Sequence, residues 1–188
     1  EHISLEEATF LDGLGVAVNA VNRTGIFPGS SVAVLGGGPI GLSIAQVARS
    51  RGAHVVVTDI YAAPLECAER LGLQAAIDVA EMKPGEAVEP LRDAAGENEY
   101  IAVFDTTGKA QALQEGIDVL DRGGTLVAMA GVSPGLELDE SSLAGERSLV
   151  TCSNNFVRDY QEGLDLLASG EVQVEPMITH RFDLRDAP

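Results

Sequence analysis

The chain has 188 residues, enough to bury roughly 70% of its unfolded surface in one well-packed domain. Its 45% hydrophobic and 22% charged composition, with 21 glycines, is that of a soluble globular protein and excludes a disordered one. A net charge of −17 would repel a polyanion and excludes nucleic acid as a partner, although backbone N–H groups can still hold a small anion locally.

The N-terminal stretch opens Glu1-His2, without a basic or apolar leader, and Leu5, Ala8, Leu11, Val16, Val18 and Val21 suggest a helical lead-in. It ends near Gly25 and Pro28 in a polar turn. Val32 to Leu35 is a short apolar run, and from Pro39 to Arg51 the positions Ile40, Ile44, Val47 and Ala48 fall on one helical face. Gly52 closes that helix. Val55 to Val57 is the next strand, and Leu65, Ala68 and Leu71 are the next helical stripe, stopped by Gly72. Ala75 to Ile77 follows as a strand, Lys83 to Pro90 as a surface loop overlapping the start of a helix around Glu86 to Ala95, and Ile101 to Phe104 as a strand. Leu113, Ile117 and Leu120 mark another helix, Thr125 to Ala130 and Ser148 to Thr151 two more strands, and Phe156, Tyr160, Leu164 and Leu167 a last helix face. Consecutive Val, Leu and Ile without alternation belong to strands covered on both faces. The fold expected is therefore α/β, a doubly wound six-stranded parallel sheet (Rossmann fold) with helices on both faces.

Cys67 and Cys152 are far apart and pack as small hydrophobes, and His2, His54 and His180 show no metal spacing, so no metal site is expected within the chain. No apolar run is long enough for a membrane helix, and a cytoplasmic protein with no membrane partner is expected.

At the first strand-to-helix turn Gly36, Gly38 and Gly41 spell G-x-G-x-x-G. The first glycine permits the tight turn, the second lets backbone approach a pyrophosphate, and the third lets helix pack on strand. Pro39 suits the first helical position, where an N–H would be unpaired anyway. A glycine-rich turn can also simply join the two elements, but Asp59 ends the next strand, 23 residues after Gly36, where a carboxylate accepts hydrogen bonds from an adenosine ribose. As a helix cap it would be an ordinary aspartate; with the glycines it reads as half of a dinucleotide site. Beside Asp59 a 2′-phosphate meets repulsion of up to ~4 kcal/mol at an effective dielectric of 20, and a screened remnant of ~1.4 kcal/mol is still tenfold in affinity. Residues 60–64 offer no arginine, so NAD is expected over NADP.

The run Val34 to Gly41, "VVVTDI" with its "ERLG" helix end, "VFDTTG" at 103–108, "DRGGTLVAMAGV" at 121–132 and "ITHRFDL" at 178–184 together resemble the medium-chain dehydrogenase/reductase superfamily. The branch most similar is that of zinc-dependent alcohol, polyol and threonine dehydrogenases, and the resemblance covers nearly the whole chain. It implies that Gly36, Gly38, Pro39, Ile40 and Gly41 cradle the pyrophosphate, Asp59 binds the ribose and Ile60 covers the adenine. Thr106, Thr107 and Gly108 would line the cofactor cleft, Ala130, Gly131 and Val132 would position the nicotinamide, and Ser153 and Asn154 would lie at the turn after the sixth strand. A basic residue often follows the family's ribose-binding aspartate, and here none does, which implies modest affinity.

The resemblance further implies one dinucleotide-binding domain over 1–188, with 1–28 entering from a catalytic domain and 176–188 starting the return to it. The catalytic zinc, its ligands and the site for a small alcohol or polyol would belong to that other domain. The chain by itself would bind NAD(H) without catalysing, and relatives commonly pair as homo-oligomers through the sheet edge. Asp12 stands where polyol-type relatives place an acidic residue near the zinc, but the reading preferred for it is an ordinary exposed helix aspartate. His180 resembles a structural position. A zinc-free, NADPH-dependent quinone-type reductase and a non-catalytic nucleotide-binding or assembly module are the other readings.

Overall fold

A computed structural model describes residues 3–131 and 133–186. Among them β1 (Ser31–Leu35), β2 (His54–Asp59), β3 (Ala75–Asp78), β4 (Tyr100–Asp105), β5 (Leu120–Ala128) and β6 (Ser148–Thr151) form one all-parallel sheet in the order β3-β2-β1-β4-β5-β6. Helices flank both faces, as the consecutive apolar runs required. The chain winds outward from β1 to β3, then returns to lay β4 on the other side of β1. That reversal opens a crevice at the carboxyl ends of β1 and β4.

Alternation along each strand divides the core in two. Val32, Val34, Val55, Val57 and Phe104 face α2 (Leu11–Val21), α3 (Pro39–Ser50) and α4 (Ala62–Arg70). Ala33, Leu35, Val56, Val103 and Leu126 face α5 (Val88–Ala95) and α6 (Ala110–Val119). Tyr100 is fully buried in the second cluster, where its hydroxyl donates to the Leu91 carbonyl at 2.6 Å. Burial without a compensating charge pushes its phenol well above the ordinary tyrosine range.

Three elements depart from the sequence expectation. The lead-in is two helices, α1 (Leu5–Ala8) and α2, because the Thr9 hydroxyl turns back onto the Glu6 carbonyl at 2.7 Å and no buried face exists before Leu11. β5 begins at Leu120, directly where α6 ends, and its pairing with β4 slips between Leu120 and Thr125, so the strand takes in Gly123-Gly124 and stops before Met129 and Ala130. In α7 (Val157–Ser169) the buried stripe is Asp159, Gly163 and Leu167, whereas Tyr160 and Leu164 are more than a third exposed and Phe156 lies outside the helix as its cap. Gly163 sits against Leu14 of α2, and this close approach selects the face.

The C-terminal segment completes the first cluster. Buried Gln46 in α3 donates to the Gln173 carbonyl (3.0 Å) and accepts from the Gln173 N–H (2.8 Å), while Val172, Val174 and Met177 enter the core. Among the described residues no helix is long and apolar enough to cross a membrane.

Candidate functional site

The turn from β1 into α3 is built around two glycines that the fold itself requires. Gly36 adopts φ +101°, and a side chain there would strike the Thr106 hydroxyl. A Cβ on Gly41 would fall on the Gly36 carbonyl oxygen. Gly38 is different: its φ is −66°, and a Cβ would meet nothing within 4 Å. Nothing in the protein needs a glycine there, and the space its hydrogen leaves open lies at the start of α3. Gly38 is also the N-cap, so no side chain caps this helix. Pro39 has no N–H, and the N–H groups of Gly38, Ile40 and Gly41 find no acceptor among the described residues. Free donors and the positive end of a twelve-residue helix dipole make this an anion cradle.

Asp59, at the tip of β2, is held by that same turn. One carboxylate oxygen accepts from the Gly37 N–H at 2.7 Å and the other from the Tyr61 N–H at 2.9 Å. Each oxygen keeps a second lone pair for an outside donor.

The third wall is the loop after β4. Asp105, fully buried, accepts from the Thr107 N–H (3.0 Å), the Thr107 hydroxyl (2.6 Å) and the Gly108 N–H (3.0 Å). Thr106 donates from both its N–H and its hydroxyl to the Leu35 carbonyl, at 2.9 and 3.1 Å. The loop is thereby clamped across the end of β1. Between these walls lies a cavity of about 260 Å³, reached by Gly36, Asp59, Ile60 and Thr107 and continued by Val79, Ala80 and Met82.

The structure thus brings the glycine turn, Asp59, Ile60 and residues 106–108 to one end of the sheet. The Ile40 side chain turns away toward Gly13 of α2, leaving only its N–H for the site. Ala130 and Gly131 follow β5 and approach Gly108, and Ser133, which sequence reasoning missed, ties these loops by accepting from Ala110 N–H (3.1 Å) and donating its own N–H to the Gly108 carbonyl (2.8 Å). Ser153 and Asn154 are exposed at the far side; the Asn154 carbonyl accepts from Asn19 of α2 at 3.0 Å. Val132 lies outside the described residues, as do residues 1, 2, 187 and 188 of the two connecting segments. Asp105 and Lys109 were also missed. Asp105 stood in plain view in "VFDTTG", but only the fold shows that it is the threonines' anchor and not a surface carboxylate.

A family model for zinc-binding dehydrogenases matches residues 39–169, from the first residue of α3 to the last of α7. The chain belongs to the zinc-binding dehydrogenase family. Sheep (Ovis aries) sorbitol dehydrogenase is similar to this family member at 31% identity over all of the chain and 53% of its own length. An Escherichia coli oxidoreductase of unknown specificity superposes with TM-score 0.86 at 26% identity, over 99% of this chain and 53% of its own. A structure from Sinorhizobium meliloti described as a zinc-binding dehydrogenase bound to NADP gives 0.78 at 28%, over 89% and 50%. The chain spans about half the length of the curated relatives it matches.

Despite the family's name, no group of three His, Cys, Asp or Glu among the described residues is arranged to hold a metal. Asp12, on exposed α2 surface, has its carboxylate engaged by the Tyr160 hydroxyl (2.6 Å) and the Asn155 amide (3.3 Å). Those donors hold its carboxyl below the ordinary range. His180 stacks on Phe182 with ring centroids 5.8 Å apart, at the surface.

Proposed function

We propose that this chain is the dinucleotide-binding half of a zinc-dependent dehydrogenase that oxidises an alcohol or polyol with NAD. One observation carries the reading: α3 begins uncapped beside the oriented carboxylate of Asp59, with Gly38 where the fold itself requires no glycine. A diphosphate would take the free N–H groups of Gly38, Ile40 and Gly41, with Gly36 and Pro39 shaping the turn. Asp59 would accept from the ribose hydroxyls, and Ile60 and the cavity would enclose the adenine.

The bound nicotinamide would supply hydride acceptance. This chain's share is orientation: residues 106–108, the run 130–132 and the turn at Ser153-Asn154 would fix the far half of the cofactor and exclude water. The described residues do not fit a catalytic zinc, so its ligands, the alcohol site and the proton-accepting groups are assigned to the remaining half of a longer protein. Residues 1–188 would then be one binding domain, entered through 1–28 and left through 176–188. The sorbitol dehydrogenase relatives support a polyol as substrate.

NAD is favoured because Asp59 occupies the position where a 2′-phosphate would sit, although Lys109 reaches the same cavity and moderates the penalty. The test is a pair of fluorescence titrations of this chain, with NADH and with NADPH. NADH is expected to bind about tenfold tighter, and Asp59→Ala to remove the preference. Tighter binding of NADPH would defeat the reading. Buried free thiols at Cys67 and Cys152 suit a reducing, cytoplasmic setting. Edge strand β6 is the surface proposed for homodimer formation, which a solution mass measurement decides.

A further inference from the structure

The cavity beside Asp59 is walled by Val79, Ala80, Met82, Leu91 and Ala112, yet it also contains a nearly buried charge, Glu115. Glu115 is 7% exposed and sits on α6 one turn beyond Gln111 and Ala112, away from the crevice end of that helix. One of its oxygens, Oε1, is fully used, accepting from the Gly85 N–H at 2.8 Å and from the Gln111 amide at 3.2 Å. The other, Oε2, accepts no hydrogen bond among the described residues and is not one of the polar atoms sealed from the surface without a partner. Beside that apolar wall, in a cavity that Lys109 and Gln111 also line, stands one carboxylate oxygen with no donor among the described residues. A flat ring with an N–H donor opposite that oxygen is complementary to such a slot, and one with a carbonyl opposite it is not.

Building on the nucleotide reading above, we infer that Glu115 reads the base: Oε2 accepts from the exocyclic 6-amino group of adenine and makes the site selective against 6-oxopurine dinucleotides. Asp59 grips the ribose at the mouth, which leaves the amino edge of the purine to point inward along α6. A hypoxanthine or guanine in the same pose would turn its 6-carbonyl lone pairs toward a carboxylate, and its N1–H, one ring atom away, reaches that oxygen only if the base shifts in the slot. Sites built around a buried hydrogen-bonding group reject analogues that cannot satisfy it far more strongly than apolar pockets reject a change of shape. Glu115 is not merely a staple for the Gly85 turn, because Oε1 alone makes that bond.

The experiment compares dissociation constants of this chain for NADH and for reduced nicotinamide hypoxanthine dinucleotide, read from nicotinamide fluorescence. The two ligands share diphosphate and both riboses and differ only along one purine edge, 6-amino with a bare N1 against 6-oxo with an N1–H. Wild-type protein is expected to favour the adenine form by about tenfold or more. Glu115→Gln keeps an oxygen for Gly85 and can turn its amide N–H to a 6-oxo group, so the ratio should fall to within about twofold. Asp59→Asn should weaken both ligands alike and leave the ratio standing. Equal wild-type affinities, or an unchanged ratio in Glu115→Gln, overturn the assignment while leaving the nucleotide site intact. Failure of both ligands to bind overturns the nucleotide reading and the inference with it. Should Glu115→Gln not fold, the wild-type ratio decides alone.

Discussion

The glycines of one turn carry opposite loads. Gly41 is fixed by contact with the Gly36 carbonyl, so Gly41→Ala should destabilise the fold by about 3 kcal/mol in chemical denaturation, as overpacking against rigid backbone does. Gly38 has no such neighbour and an ordinary φ. Gly38→Val should therefore cost only about 1 kcal/mol, that of an apolar N-cap, while losing at least tenfold in NADH affinity, since its side chain would fill the cradle. A loss of stability at Gly38 as large as that at Gly41, or retention of binding, would contradict the division. The motif was legible in sequence because each glycine keeps its place in G-x-G-x-x-G. Which glycine serves the fold and which serves a ligand was not, since that depends on what stands opposite each Cβ. The threonines at 106 and 107 teach the same point: their hydroxyls are spent on Leu35, Gly36 and Asp105 and brace the loop.

Between elements, the contact of α2 with α7 decided what periodicity could not. Apolar spacing at Phe156, Tyr160, Leu164 and Leu167 announced a helix but matched its buried stripe only at Leu167, because the neighbouring helix approaches closest where a side chain is missing, at Gly163. One end of that contact is fastened by Asp12, Tyr160 and Asn155. Asp12 titrates below the ordinary carboxylate value in the folded state. A depressed folded value means that its stabilisation is present above the unfolded pKa of ~4 and is lost as pH falls through the lower folded one. The melting temperature of Asp12→Ala should accordingly lie below wild type at about pH 6 and converge on it as the pH drops below ~3.5. A difference that persists in acid would assign the effect to packing.

Over the whole molecule, excess negative charge governs how stability responds to solvent. With 29 acidic against 12 basic side chains, the compact state repels itself, and salt shortens the range of that repulsion from ~30 Å at 0.01 M to well under 10 Å at 0.5 M. Thermal unfolding should therefore move upward by several degrees on adding ~0.5 M NaCl, as measured by circular dichroism. A fall would show that screened attractions outweigh the excess charge.

Sequence by itself determined the parallel, doubly wound sheet, the glycine turn and the partnering carboxylate of Asp59, because these depend on local period and fixed spacing. Tertiary structure alone decided the strand order, the buried face of α7, the entry of Val172 to Met177 into the core and the meeting of Asp105 and Glu115 with the cavity loops. Those outcomes rest on which distant segments come within contact distance. A carboxylate in a sequence is the same symbol whether solvent surrounds it or, as at Asp105, two backbone N–H groups and a hydroxyl.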